Sequence, residues 1–528
     1  MRKKHFLFAS VLALLCGSST LHAQDFKLTS SGYFKNQGVD VMAFDDIYPE
    51  GHQGGVCIIM NGHRVATNGD IRLEATPGQW QPVPKQLDRK LGDNSITATL
   101  CYPDSSRHLT GFNPMIYPDL HLIYTVNVES KGKNIEVTVD LDRPIPQEFI
   151  GKVGFNLEFF PGSLFGKPWI MDGQSGIFPQ QPNSPLMTTQ PNYLHTGNYH
   201  DGKKSLADMN KLIGKGYSPI VADDIISEPY AKGTKFTSRP DDPYNKVTIE
   251  SLSGDLQLFD GRMNHNNGWF VLRSNIKPGV TKGAVKWIIT PNVVADWMYQ
   301  PVIQTSQIGY HPTQDKEAVI EMDIRDNRKE TAQIIRIDAD GEKVVKNVTP
   351  ANWGKFLRYN YLKVNFTDVK EPGLYKIKYN TSVSPIFRID NDVYARGVWQ
   401  PVLEYFLPVQ MCHMRVNEKY RVWHDCCHMD DAQMAPAHNH IDGYDQKEGL
   451  SKFKPGEVVP GVNIGGWHDA GDFDLRIESQ AGESYILALA YEAFHPNLDV
   501  TSIDQINRVT EIHQPDGKND LLQQVENG

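Results

Sequence analysis

The pattern of hydrophobic positions divides the chain into a long β-rich part and a shorter helical part. From residue 24 to about residue 298, short alternating or β-branched runs recur between Gly, Asn, Asp and Pro residues, as in Val56–Met60 and Ser95–Cys101. Runs of this kind, bounded by turn residues, are typical of the strands of a sandwich. We therefore predict an N-terminal all-β sandwich over residues 24–298.

A second β-rich segment follows at residues 302–390. Its short apolar runs are separated by turn sequences such as Asp340-Gly341 and Pro372-Gly373. A segment of this length with this many strands suits an immunoglobulin-like β-sandwich. We predict such a module over residues 302–390.

The pattern changes to a helical period near residue 392. Residues 398–407 place apolar side chains on one helical face, and residues 479–494 do so more clearly through Ile486 and Leu489. A further helix begins at Asp520. Two or three helices without partners leave a broad apolar face exposed. We therefore expect the part beyond about residue 390 to be poorly folded in this chain alone.

Composition narrows the range of partners. The chain has 528 residues and a net charge of -10, and no stripe of Lys and Arg interleaves with aromatic residues. A nucleic-acid partner is therefore not expected, and a neutral substrate fits better. The length suits about three domains.

The N-terminus has the pattern of an export signal over residues 1–23. A basic start at residues 2–4 precedes an apolar stretch at 6–15, and Leu21-His22-Ala23 forms a cleavage site. We expect an exported, periplasmic or extracellular protein without a transmembrane segment. A lipid anchor at Cys16 is not expected, because the bulky Leu15 stands where a small residue is required.

Five cysteines remain once the signal is removed. This odd number does not indicate a disulfide framework. Cys57 and Cys101 lie in predicted strands, where they either pair or act as small buried hydrophobic residues. The others, Cys412, Cys426 and Cys427, stand near several histidines.

Two aspartates three residues apart carry the clearest chemistry. Asp469 and Asp472 lie in the string Gly-Gly-Trp-His-Asp-Ala-Gly-Asp at 465–472. Two carboxylates on a backbone freed by glycine can converge on one water, so that one removes a proton while the other holds the water in place. The alternative is a polar turn without catalytic chemistry.

This string resembles the catalytic loop of family 9 glycoside hydrolases, which invert configuration while cleaving β-glucans. The string Ser-Gln-Ile-Gly-Tyr-His-Pro at 306–312 resembles the start of the immunoglobulin-like module in one branch of that family, and residues 515–522 resemble the segment after the catalytic loop. The likeness spans about residues 300–528. It implies that residues 392–528 form the first helices of an incomplete (α/α)6 barrel.

The resemblance assigns roles to the two aspartates. It implies that Asp472 is the general base and that Asp469 helps to position the water. The family's general acid is a Glu that would lie beyond residue 528, so we expect this chain to be a fragment that is inactive alone. Glu478 and Glu483 are too close to the loop to serve as that acid. Trp467 either stacks on a glucosyl ring or belongs to the core.

A second group of residues has the chemistry of a zinc site. Thiolates and imidazoles are preferred ligands of tetrahedral zinc, and four of them leave no open position. Cysteine-rich family members resemble the arrangement Cys412, Cys427, His428 and His468, which implies a structural zinc beside Asp469. Other interpretations stay open. His438 or His440 could take the place of His468 as a ligand, and Cys426 could take the place of Cys427. The residues could also be reduced thiols and histidines that bind no metal. No loop predicts a calcium site.

The predicted function is cleavage of β-1,4-glucan or a related plant polysaccharide. An alternative is a non-catalytic carbohydrate-binding or scaffold protein whose helical part is vestigial. A third reading is removal of single glucose or glucosamine units from a chain end.

Overall fold

The computed structural model describes most of the chain in two compact units. The described residues are 25–45, 54–74, 76–77, 84–102, 122–182, 186–189, 225–263, 268–430, 432–434, 451–469 and 475–528. One unit comprises Met1–Met298 with Ile441–Tyr444, and the other comprises Tyr299–His440 with Asp445–Gly528. The predicted export signal at 1–23, with Cys16, lies outside the described residues.

Short antiparallel strands build the first unit. They are Lys27–Leu28 (β1), Phe34–Asn36 (β2), Val39–Ala43 (β3), Val56–Met60 (β4), His63–Leu73 (β5), Lys85–Leu91 (β6), Ser95–Cys101 (β7), Ile123–Lys131 (β8), Asn134–Leu141 (β9), Val153–Phe159 (β10), Pro168–Met171 (β11), Gln174–Ile177 (β12), Leu186–Thr189 (β13), Ile225–Ser227 (β14), Ala231–Gly233 (β15), Lys235–Ser238 (β16), Val247–Ser251 (β17), Leu256–Asp260 (β18), Phe270–Asn275 (β19) and Val285–Pro291 (β20). Short helices lie at Gln147–Phe149, Pro161–Leu164 and Gly261–Met263.

Eighteen of these strands form two large sheets with a shared core, and β13 pairs with β14 in a separate two-stranded sheet. Within the described residues, one nine-stranded sheet has the order β1-β2-β3-β4-β5-β10-β19-β18-β15, and the other has the order β12-β11-β16-β17-β20-β9-β8-β7-β6. Phe155 of the first sheet meets Trp287 of the second edge to face, with 5.0 Å between ring centroids. Both side chains are fully buried. The predicted all-β sandwich is confirmed.

The structure describes two cysteines of this unit, Cys57 and Cys101, and they lie in different sheets. Cys57 is fully buried, and its sulfur lies 3.1 Å from the hydroxyl of Thr67. Cys101 is partly exposed at the end of β7, and its sulfur donates to the Tyr102 carbonyl at 3.2 Å. The structure therefore favours small side chains over the alternative of a Cys57–Cys101 bridge.

A buried charge network ties three strands of the first sheet together. Arg273 donates hydrogen bonds to the Glu74 carboxylate at 3.2 Å, to the Asn156 side-chain oxygen at 3.2 Å and to the Lys152 carbonyl at 3.0 Å. Arg273 and Glu74 are each 1% exposed. Burial raises the pKa of Glu74 to about 7, although the positive charge of Arg273 opposes that shift. The network satisfies polar groups that would otherwise be costly inside the unit.

The second unit opens with the predicted immunoglobulin-like module. Its strands are Val302–Gln304 (β21), Glu317–Asp323 (β22), Ala332–Asp338 (β23), Gly341–Val348 (β24), Ala351–Phe356 (β25), Tyr359–Asn365 (β26), Gly373–Tyr379 (β27), Ser382–Val383 (β28) and Phe387–Ile389 (β29). Among the described residues, β21-β22-β26-β25 form one sheet, and β24-β23-β27-β28 form another in which β29 also pairs with β27. Ile320 and Leu362 from one sheet share a buried core with Ile334 and Ile377 from the other. The small β-sandwich is as predicted.

The string at 306–312 closes this module. Tyr310 packs its ring against Phe366 and Phe387, at 5.1 and 5.3 Å between centroids. Its hydroxyl accepts a hydrogen bond from the Ser306 amide at 2.9 Å. Gly309 adopts φ 95°, and a Cβ atom there would stand 2.3 Å from the Arg388 carbonyl oxygen. Only glycine fits this close approach.

The remaining part, up to residue 528, mixes helices with short strands. The helices are Gln400–Tyr405, a π-helix at Phe406–Gln410, Ile477–Phe494 and Asp520–Asn527, and the strands are Arg415–Glu418 (β30), Arg421–His424 (β31), Thr501–Asp504 (β32) and Val509–Ile512 (β33). The strands form a sheet of order β31-β30-β33-β32 in the part of the chain that the structure describes. None of the described helices is long and apolar enough to cross a bilayer.

This part differs from the expectation of helices alone. Met411, Val416, Trp467 and Ile512 belong to a small buried core, so residues beyond about 390 have a core of their own. The helix Ile477–Phe494 forms as predicted but has no buried residue. Large apolar side chains of this helix, such as Ile486 and Leu489, are exposed as expected, and the (α/α)6 barrel stays a prediction.

Replacing Arg273 with Met should destabilise the first unit by about 3–5 kcal/mol. The change leaves the Glu74 carboxylate buried without its cation. The measurement is the free energy of unfolding from urea titration. As a control, Lys282→Met breaks an exposed ion pair with Asp140 and should cost about 0–1 kcal/mol. Equal losses in the two variants would contradict the assigned role of the network.

Candidate functional site

A short antiparallel contact brings two distant segments of the candidate site together. Met411 and Trp467 form an isolated bridge. Beside it, the Cys412 amide donates to the Gly466 carbonyl at 2.9 Å, and the His468 amide donates to the Gln410 carbonyl at 2.7 Å. Because side chains alternate along extended backbone, Cys412 and His468 point to the face opposite the buried Met411 and Trp467.

Cys427 and His428 complete a four-residue cluster. They follow β31, and the backbone of His428 turns through φ 53°. The Cys412 sulfur lies 3.4 Å from the Cys427 sulfur and 3.1 Å from His428 Nδ1. The Cys427 sulfur lies 3.4 Å from His468 Nε2. All four candidate ligand atoms lie within 4.8 Å of one another.

This donor set fits a tetrahedral zinc ion. Zinc–sulfur bonds near 2.3 Å and zinc–nitrogen bonds near 2.0–2.1 Å place ligand atoms about 3.3–3.8 Å apart, close to the separations in the cluster. Cys412 and His468 are buried, and Cys427 and His428 are partly buried. Two thiols and two imidazoles crowded in this way have the chemistry of a closed metal site.

The structure also distinguishes among the competing ligands. Cys426 does not belong to the cluster, and its amide donates instead to the Asp425 carboxylate at 2.8 Å. His438 and His440 lie outside the described residues. The four predicted ligands are thus the ones that the structure brings together.

Two glycines fix residues 465–469, which we call the Asp469 loop. The Gly466 amide donates to the Asn527 carbonyl at 2.9 Å. A Cβ atom on Gly465, at φ 67°, would stand 2.1 Å from that same carbonyl oxygen, and one on Gly466, at φ 83°, would stand 2.4 Å from Gln480 Oε1. Both positions therefore require glycine, because the backbone is left-handed and closely approached.

Trp467 belongs to the core rather than to an exposed surface. It is fully buried, its ring lies 5.5 Å from that of Phe406, and its indole N–H donates to Gln524 Oε1 at 3.3 Å. A ring without exposed area cannot stack on a sugar in this conformation. The geometry does not support the predicted substrate contact and favours the alternative core role.

Asp469 precedes the helix Ile477–Phe494 in the sequence and contacts residues at its start. Its Oδ1 accepts from the Ser479 hydroxyl at 2.8 Å, and its Oδ2 lies 3.4 Å from the Arg476 guanidinium. Burial first, and then the negative charge of Asp469, raise the pKa of Glu483. Asp469 is thus held in one orientation next to the metal-ligand cluster, whereas Asp472 lies outside the described residues.

Arg508 connects the segments that carry the ligands. One nitrogen of its guanidinium lies 2.9 Å from the Asn463 carbonyl, 3.4 Å from the His413 carbonyl and 3.4 Å from the Met429 sulfur. These three residues stand beside the Asp469 loop, Cys412 and His428. No pattern in the sequence indicates this role, because Arg508 lies in a turn between two short strands.

The helix Asp520–Asn527, which contacts Gly466, is itself anchored at its start. The Asn519 side chain caps it by accepting from the amides of Leu521 and Leu522. The Asp520 carboxylate accepts from the amides of Val500 and Thr501, both at 3.0–3.3 Å. Burial raises the pKa of Asp520 to about 6, against these hydrogen bonds.

The comparisons with known proteins agree with the resemblance read from the sequence. Residues 298–384 match the family model described as the cellulase N-terminal ig-like domain. The predicted likeness to the family 9 branch with an immunoglobulin-like module is confirmed by this match. No curated protein matches the chain.

Solved structures of family 9 enzymes align with part of the chain. A metagenome-derived glycoside hydrolase family 9 endoglucanase is 24% identical, with 43% of this chain and 39% of that chain covered and a TM-score of 0.33. A Zn-binding triple mutant of the family 9 endoglucanase J30 is 24% identical over 41% and 37% of the two chains, with a TM-score of 0.30. A GH9 protein of Bacteroides ovatus is 21% identical over 43% and 38%, with a TM-score of 0.31. The chain thus spans about two fifths of the length of these structures.

Replacing His468 with Ala should lower the bound metal to less than about a tenth of the wild-type content. The change removes one of four converging ligand atoms. Metal per protein is measured by mass spectrometry after purification and dialysis. Cys426→Ser is the matched control, because its thiol is adjacent in sequence but outside the cluster, and it should retain the metal. Unchanged metal in His468→Ala would remove His468 from the ligand set.

Replacing Asp520 with Asn should flatten the pH dependence of stability between about pH 4 and pH 6. Because the pKa of Asp520 is raised from 3.8 to about 6, the folded chain binds this proton more tightly than the unfolded chain. Stability is therefore lost as the pH rises through this window. The melting temperature of the Asn variant minus that of the wild type should therefore become more positive as the pH rises through this window.

A control variant at an exposed turn checks this result. Asp340→Asn removes a carboxylate from the exposed β23–β24 turn and should follow the wild-type profile. An Asp520→Asn variant with the same profile as wild type would contradict the assignment.

Proposed function

We propose that this chain is part of an exported family 9 glycoside hydrolase that cleaves β-1,4-glucan or a related plant polysaccharide with inversion. The observation that carries the proposal is the adjacency of His468 and Asp469. His468 is the last residue of the metal-ligand cluster, and Asp469 is the first residue of the predicted catalytic pair. The match of residues 298–384 to the cellulase module supports the same family.

The proposed mechanism is a single displacement at the anomeric carbon. Asp472 removes a proton from the attacking water, and Asp469 holds that water in line. The hydrogen bond from Ser479 and the contact with Arg476 keep the Asp469 carboxylate in place. Inversion also needs a carboxylic acid roughly 6.5–9.5 Å from the base to protonate the leaving oxygen, and we assign that role to a Glu outside this chain.

We assign a structural role to zinc. A four-ligand site without an open position takes no part in bond breaking, and the ion when bound supplies only a cross-link between chain segments. Cys412, Cys427, His428 and His468 would hold it. The cross-link would fix the Asp469 loop relative to β30 and β31.

The domain arrangement follows from the same proposal. Residues 1–23 direct export, residues 24–298 form a β-sandwich domain, and residues 302–390 form the immunoglobulin-like module. Residues 392–528 contribute the first helices of an (α/α)6 barrel. The exposed large apolar side chains of the helix Ile477–Phe494 support this last assignment, since barrel helices bury such side chains against neighbouring helices.

Replacing Asp472 with Asn in the product of the complete reading frame should lower the hydrolysis of β-1,4-glucan by about 10²–10⁴-fold. Reducing-sugar release measures the rate, and proton NMR of the first product reports the anomeric configuration, which should be inverted. Asp340→Asn serves as the control and should retain full activity.

Three results would contradict the proposal. They are wild-type activity in Asp472→Asn, retention of configuration, and the absence of hydrolysis on all β-glucans tested. Binding without hydrolysis would favour the alternative of a carbohydrate-binding or scaffold protein.

A further inference from the structure

One face of the immunoglobulin-like module carries a row of aromatic rings. Ring centroids of Trp353 and Tyr361 are 5.6 Å apart, those of Tyr361 and Tyr359 are 6.1 Å apart, and those of Tyr359 and Tyr299 are 5.1 Å apart. We propose that this aromatic row, Trp353, Tyr361, Tyr359 and Tyr299, is a binding platform for a neutral polysaccharide chain. The inference rests on the proposed function for the identity of the polysaccharide.

The strand register places these rings on the outside of the sheet. In β26, Leu362 and Val364 are fully buried, whereas Tyr359 and Tyr361 alternate with the buried positions and are partly exposed. β25 is the edge strand, and its register shifts between Asn352 and Gly354, so Trp353 lies at a bulge. Bulges of this kind redirect a side chain.

Trp353 is the most accessible member of the row. Its side chain is 57% exposed, although a tryptophan ring is among the largest apolar surfaces that a protein can bury. Its only ring contact among the described residues is edge-to-face, at 88° to the Tyr361 ring, so a flat face is left for a ligand. Contiguous apolar patches, unlike single exposed residues, mark recognition surfaces, and the contact with Tyr361 makes Trp353 continuous with the rest of the row.

A carboxylate within the row gives it polar character. Glu321 accepts hydrogen bonds from the Tyr299 hydroxyl at 2.7 Å and from the Tyr361 hydroxyl at 3.2 Å. Burial and the charge of Glu321 raise the pKa of both tyrosines, so their hydroxyls stay protonated as donors. A carboxylate offers about four acceptor positions, so capacity remains for hydroxyl groups of a ligand.

This combination favours a sugar over a protein as the occupant. Sugar rings present apolar C–H faces that fit aromatic rings, and their edges carry hydroxyl donors that a carboxylate accepts. Glu321 accepts from two tyrosine hydroxyls, so an occupant that covers it has to donate hydrogen bonds to its remaining acceptor positions. An apolar protein surface cannot do so, and burying a carboxylate without donors is costly. The polysaccharide that the proposed function cleaves has the required chemistry.

Alanine at Trp353 should weaken binding to insoluble cellulose by about 2- to 10-fold, as expected for the loss of one aromatic stacking contact. The full chain is used, and binding isotherms are measured by pull-down. Because Trp353 is more than half exposed, the melting temperature of the Trp353→Ala variant should equal that of the wild type. Trp353→Phe keeps a ring and should retain most of the binding.

Tyr420→Ala is the matched control. Tyr420 is 89% exposed in the turn between β30 and β31, away from this sheet, and its loss should leave binding unchanged. Glu321→Gln keeps the shape of the side chain but weakens its acceptor strength, and it should also reduce cellulose binding.

The outcomes separate this inference from the proposed function. Loss of cellulose binding in Trp353→Ala supports the platform whether or not the complete protein hydrolyses glucan. When Trp353→Ala is made in the product of the complete reading frame, hydrolysis of a short soluble oligosaccharide should be unchanged. Wild-type binding in both Trp353→Ala and Glu321→Gln would overturn the inference, as would equal loss in Tyr420→Ala or Trp353→Phe. A change in oligomeric state with unchanged cellulose binding would assign the face to a protein contact and would also overturn it.

Discussion

Four side chains from three separate segments converge beside Asp469. Cys412 follows the π-helix Phe406–Gln410, Cys427 and His428 follow β31, and His468 lies in the Asp469 loop itself, yet their ligand atoms lie within 4.8 Å of one another. Two thiols and two imidazoles crowded in a partly buried place are favourable mainly when a cation neutralises the thiolates and uses all four lone pairs. In the proposed function, a bound cation would therefore connect the fold of this region with the position of the neighbouring Asp469.

Protein contacts support that arrangement from other directions. Asn527 holds Gly466 through its carbonyl, and Arg508 links the backbone near the loop to the segments after Cys412 and His428. With the proposed metal bound, the cluster and these backbone contacts together would form a preorganised support for the neighbouring carboxylate. The helix Ile477–Phe494 starts from the same place, because Ser479 contacts Asp469.

Local patterns in the sequence were sufficient wherever local physics decides the structure. The alternation in Ser95–Cys101 predicted β7 with the bounds that the structure shows, and the family resemblance, together with thiol and imidazole chemistry, predicted the members of the cluster. The strand Arg415–Glu418 was missed because it is four residues long, polar, and paired in parallel with the distant Val509–Ile512. Burial of Trp467 and the contacts of Arg508 likewise depend on tertiary packing that periodicity does not contain.

X-ray absorption spectroscopy of the zinc-loaded protein reports the ligands around the metal and so decides whether these four side chains hold it. We expect a four-coordinate ion with two sulfur atoms near 2.3 Å and two nitrogen atoms near 2.0–2.1 Å, from Cys412, Cys427, His428 and His468. A shell made only of oxygen and nitrogen, or one with a single sulfur atom, would contradict it.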